Sequence, residues 1–209
     1  MKTNQELKNQ ALAALKGNWT PAVLLSLAVM AISVLPSFLG QSDQAVASLA
    51  TIAISYGVVL PLTVGVYAAF RKLLAGQQVK LVEDAFTTGF KSWGHNVGGM
   101  LLMVLYTILW SLLLIIPGII KYFSYAMTPF ILADKPELSA NEAIELSMKM
   151  MDGHRLDFFI LTLSFIGWSI LCIFTLCIGY LWLVPYMYTT MAAFYEDVKA
   201  EYESKNVVA

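Results

Sequence analysis

Two histidines, a buried-looking lysine and two cysteines are the side chains in this sequence whose types could do chemistry. His95 and His154 stand near Asp152 and Asp157, a set that could in principle ligate a metal. Scattered carboxylates do not make a ligand spacing, so headgroup-level anchoring or helix capping is the expected role of both histidines. Cys172 and Cys177 lie five apart, which is neither a C-x-x-C redox spacing nor a zinc pair, and both are expected as small buried hydrophobes. Neither a phosphate-binding glycine loop nor a G-x-S-x-G or H-E-x-x-H motif occurs. No catalytic set, cofactor or metal site is expected.

Lys121 is the only fixed charge between Lys91 and Asp134. An ionisable group inside an apolar segment is costly and calls for a partner or a route to water. Two readings stand: the stem snorkels to the outer interface, or the ammonium pairs with Asp43, an anionic lipid or a substrate. No acid falls within an expected span, and of the 14 acidic residues only Asp43 is expected outside the cytoplasm. Coupling to protons or sodium through a buried carboxylate is therefore not expected.

The elements that position these groups follow from composition. The chain has 209 residues, 58% hydrophobic and 13% charged, with a net charge of −1. A soluble domain carries about 25% charged residues, so the apolar excess calls for lipid. Nucleic acid is not an expected partner, because no basic face is present. A helix needs about 20 apolar residues to cross the hydrocarbon. Uncharged runs then predict spans near Thr20–Leu39 and Ser48–Phe70, two more between Lys91 and Asp134 divided at Pro117-Gly118, and two between Phe158 and Tyr195 divided at Gly179. The run from Asn18 to Ser42 exceeds the apolar core of a signal peptide, about 7–15 residues. The expected fold class is all-α, a single integral membrane domain over 1–209 with six transmembrane helices. Under that count Lys2, Lys8, Lys16, Arg71, Lys72, Lys80, Lys91, Lys135, Lys149, Arg155, Lys199 and Lys205, of 13 basic residues in all, share one side. The positive-inside rule makes that side, with both termini, cytoplasmic.

A repeat runs through these elements. Pro61 precedes Ala68-Ala69-Phe70 at the spacing by which Pro185 precedes Ala192-Ala193-Phe194. Three tandem units are expected, 3–72, 80–134 and 138–197, each an amphipathic helix followed by a transmembrane hairpin. Thr3 to Glu6 and Ser139 to Glu142 have the form of capping boxes. In the third unit Ile144, Met148 and Met151 share the apolar face, while Glu145 and Lys149 are spaced for an i,i+4 pair on the other. Such helices either lie in the headgroup layer or pack on the protein's own helix ends. Trp19, Trp93 and Tyr195 are expected at the interface, with Trp110, Trp168 and Trp182 packed more deeply.

Gly17-Asn18-Trp19, Phe130 to Asp134 with Pro136, Ser139 to Ala143, Met150-Met151 with Gly153-His154, Leu163 to Trp168 and Pro185-Tyr186 carry a resemblance. On these segments the chain resembles an uncharacterised family of bacterial integral membrane proteins, a domain of unknown function. It is more distantly similar to the membrane domain attached to some glycerophosphodiester phosphodiesterases. The resemblance implies a bacterial plasma membrane and supplies no catalytic residues. The leading expectation is a non-catalytic protein that binds lipid or a membrane partner, including another copy of itself. Contacts are expected from Lys121, His95, His154, Arg155, Ile144, Met148 and Met151. The alternative is a transporter or permeability protein for a small or amphiphilic substrate, and a membrane enzyme ranks third.

Overall fold

A computed structural model describes residues 2–39 and 51–207. The expected loop acid Asp43 lies outside them. No strand occurs among the described residues. The helices are α1 (Asn4–Leu15), α2 (Trp19–Leu39), α3 (Thr51–Leu74), α4 (Leu81–Lys91), α5 (Trp93–Leu113), α6 (Ile115–Ser124), α7 (Thr128–Asp134), α8 (Ala140–Met150), α9 (Arg155–Leu163), α10 (Ile166–Phe174) and α11 (Tyr180–Val207).

Local chemistry sets most of the boundaries. Thr3 and Ser139 both form complete capping boxes, with Glu6 and Glu142 reaching back to the cap N–H at 2.7 Å. Those hydrogen bonds hold both glutamate pKa values below the ordinary carboxylate range. Within α3, residues Ser55–Val59 wind as a π-turn, and the Trp93 indole N–H donates to the Gly57 carbonyl there at 2.7 Å. Gly179 closes the turn before α11. A Cβ on it would lie 2.8 Å from Cys172 Sγ.

Three helical stretches are long and apolar enough to cross a membrane: Thr51–Leu74, Trp93–Leu113 and the run of α9 and α10, Arg155–Phe174. A fourth is added if α1 and Trp19–Val34, bent by 99°, count as one. The expected six is therefore not reached among the described residues. The return arm of the second hairpin breaks at Tyr125–Met127 into the short α6 and α7, because Pro129 cannot donate to the carbonyl one turn earlier. Although 28 residues long, α11 mixes Pro185, tyrosines and threonines with a charged second half. The second hairpin turns at Leu114, three residues ahead of Pro117, which sits in the first turn of α6 where its missing N–H costs nothing.

The helices interlock in a definite order. The amphipathic helices pack in turn on other parts of the chain: α4 on α3, α8 on α5 and on the short α7, and α1 on α11. The α3–α4 contact is the closest, since a Cβ on Gly65 would lie 1.8 Å from the Ala85 carbonyl oxygen and one on Gly89 2.5 Å from that of Pro61. Lys8 ties α1 to the third unit, its ammonium 3.5 Å from the Ser164 carbonyl oxygen and over the Phe165 ring. Hairpin tips stay uncovered: Leu112, Leu113, Phe174 and Leu176 are 70–87% exposed. An apolar surface of that extent calls for a non-aqueous cover. Trp110, Trp168 and Trp182 belong to it and are exposed, contrary to the deep packing expected of them, and Cys177 is exposed in the turn while Cys172 is buried.

Candidate functional site

Helices α3, α7 and α11 converge on one carboxylate. Asp134, at the end of α7, is ion-paired with Arg71 of α3, accepts from Lys199 at 2.6 Å and accepts from the Tyr195 hydroxyl at 2.9 Å. Glu196 stands 3.8 Å from Arg71. Burial alone would raise the Asp134 carboxyl, but hydrogen bonds from Lys199, Arg71 and Tyr195 outweigh it and hold its pKa below the ordinary aspartate value. Tyr195, expected at the membrane interface, is instead 1% exposed and stacks on Phe130 at 4.9 Å. Phe130 in turn meets Tyr67 edge-on at 4.5 Å. None of Arg71, Asp134 or Lys199 was singled out in the sequence; the recurring Ala-Ala-Phe before Arg71 and Tyr195 was the available signal.

Behind this aromatic stack lies a cavity of about 150 Å³ between α3, α5, α6, α7, α9 and α11. Rings of Tyr67, Tyr122, Tyr125, Phe130 and Phe158 line it with the thioethers of Met100, Met103 and Met191, and none of its lining residues is charged. Thr63, Thr107 and Thr162 also face it, each donating its hydroxyl proton to the carbonyl one turn back at 2.8 Å. On the other side of the α5–α7 contact, where Gly99 meets Leu132, is a polar cleft of about 640 Å³. It is lined by the end of α3, by α4 and by the start of α5.

The residues expected as contacts do not come together at one place. Ile144 and Met151 are buried in the core, so α8 packs on its own protein. Ser147 fastens it: its hydroxyl donates to the Ser124 carbonyl oxygen at 2.8 Å and accepts from the Met127 N–H at 3.2 Å. Those are the backbone groups left over where α6 breaks from α7. Glu145 accepts from Asn141 at 2.9 Å instead of pairing with Lys149. Met148 reaches Lys121, whose ammonium lies 3.4 Å from its sulfur and 4.8 Å from the centre of the Trp110 ring. His154 has Nε2 3.2 Å from Glu201 and Nδ1 3.6 Å from Asp157, and Arg155 pairs with Asp152 at 3.1 Å. His95 Nε2 is buried without a partner among the described residues. No group of three metal-ligating side chains forms among the described residues.

An all-helical chain with helices long and apolar enough to cross a membrane is the class these features define. Residues 92–202 match the family described as Protein of unknown function (DUF975), and the chain belongs to that family. No curated protein and no solved structure matches it. The more distant likeness to glycerophosphodiester phosphodiesterases finds no support in these comparisons.

Proposed function

We propose that this is a non-catalytic protein of the bacterial plasma membrane that binds lipid, with both termini on the cytoplasmic side. The observation that carries it is the uncharged cavity of about 150 Å³, walled by five aromatic rings and three thioethers. Such a lining favours apolar chains, at about 0.8 kcal/mol for each CH₂ removed from water. A cavity of this size takes up a benzene-sized group, so it receives the end of a chain rather than a whole lipid. Two features support the membrane setting, the uncovered hairpin tips and the near absence of fixed charge from Lys91 to Asp134, where Lys121 stands alone. The docking of α4 on α3, of α8 on α7 and of α1 on α11 supports the three-unit organisation.

Native mass spectrometry of protein extracted in mild detergent tests the proposal. Lipid should be retained by the wild type and lost when Thr162→Trp fills the cavity. Equal retention, or none by either protein, would sink the reading. Transport is the second reading, because the stack of Tyr67, Phe130 and Tyr195 separates this cavity from the polar groups around Asp134. Uptake of a solute into proteoliposomes containing the protein would favour it.

A further inference from the structure

We infer that the polar cleft at the start of α5 binds a phosphoethanolamine headgroup, meaning a phosphate beside an N–H donor. The inference rests on the lipid-binding reading and names the chemistry it would select. With about 640 Å³, the cleft falls in the range of small-molecule sites, about 300–1,000 Å³.

Its charges do not cancel internally. Lys72 pairs with Asp84 at 3.1 Å and Lys80 with Glu83 at 3.0 Å. Lys91 lines the same cleft and is exposed. No carboxylate lies within ion-pair distance of it among the described residues, which leaves one positive charge over. The next residue, Ser92, is the N-cap of the 21-residue α5, and its side chain makes no capping hydrogen bond. The first-turn N–H groups of a helix carry partial positive charge and suit a phosphate oxygen.

A second observation specifies the other half of the ligand. Asn96, one turn into α5, lines the cleft and is 2% exposed. Its amide nitrogen donates to the Gly89 carbonyl at 2.7 Å, while Oδ1 is buried with no partner among the described residues. A buried acceptor left unpaired is costly. A phosphate alone offers it nothing, whereas an ammonium group next to the phosphate offers N–H donors.

Phosphatidylethanolamine and phosphatidylcholine differ in the N–H donors, and competing them for the wild-type protein in detergent micelles, read by native mass spectrometry, tests the inference. Retention of the ethanolamine lipid should exceed that of the choline lipid about tenfold, as for a hydrogen bond to a charged group. Lys91→Gln, at an exposed position that folding tolerates, should weaken both, and Asn96→Leu should abolish the preference between them. Competition by free O-phosphoethanolamine would show that the headgroup suffices; lipid binding that resists it would show that the chains are needed as well. Equal retention of the two lipids, or retention untouched by Lys91→Gln, overturns the headgroup site. Thr162→Trp separates the cases, since a lipid it displaces keeps the cavity reading intact when the cleft site has failed.

Discussion

Lys199 places its ammonium 2.6 Å from a carboxylate oxygen of Asp134, although 65 residues separate them in the chain. With Arg71 on the same carboxylate, three helices from three parts of the chain depend on one side chain. Asp134→Ala should therefore cost about 1–3 kcal/mol, the scale for stranding hydrogen-bonded groups, because the cations it leaves, Arg71 and Lys199, are still 20% and 22% exposed. Thermal unfolding in detergent measures it. A loss below about 0.5 kcal/mol, the scale of an exposed pair, would show that the network holds nothing.

The same carboxylate gives a pH dependence of known sign. Its folded pKa lies below the ordinary value, so its contribution is complete above the unfolded pKa of about 3.9. As pH falls through the folded value, the contribution is lost. The difference in unfolding midpoint between wild type and Asp134→Asn should be constant from pH 8 to about pH 5 and shrink below about pH 4. A difference that grows in acid would contradict the assignment.

Ser147→Ala should destabilise by about 1–3 kcal/mol, because it strands a buried carbonyl and a buried N–H together. The readout is the loss of helical circular dichroism on heating. Ile144→Asp should be still more damaging, since it sets a carboxylate at a position 1% exposed. Glu145→Gln, which touches only the exposed Asn141 amide, should leave the melt unchanged.

Gly65→Val should push α4 off α3. Its new Cβ would fall within 1.8 Å of the Ala85 backbone oxygen, and backbone cannot swing aside as a side chain can. A cost of at least about 1–3 kcal/mol is expected, with protease cleavage appearing near residues 77–80. A stable, protease-resistant variant would mean that the two helices are not packed this closely.

In a Cys177→Ser background, cysteines at Gln41 and Lys80 test the orientation. In intact cells an impermeant thiol reagent should label the first and spare the second. Equal or reversed labelling would refute cytoplasmic termini.

What could be read from the sequence was local. Thr3 with Glu6 and Ser139 with Glu142 are three residues apart, so spacing alone revealed both caps. Gly179 likewise marked its turn. The count of spans failed because charge-free length does not reveal a break such as Tyr125–Met127, whose leftover backbone groups are satisfied by Ser147, some twenty residues on. The network at Asp134 was invisible for a related reason. Arg71 and Lys199 look like ordinary flanking charges until the fold brings them to one carboxylate. Tyr195 misled because a tyrosine at the end of an uncharged run suits a membrane interface as well as it suits a buried hydrogen bond.

The docking of α1 on α11 sets an order of events during synthesis. The Lys2 backbone N–H meets the Asp197 carboxylate at 2.7 Å, across 195 residues of chain. When α1 emerges from the ribosome its partner has not been translated, and Leu7, Ala11 and Leu15, fully covered in the finished fold, have nothing of their own to rest on. At about 5–20 residues per second, that wait lasts on the order of ten seconds or more. Through that interval the apolar face of the first amphipathic helix needs a temporary host.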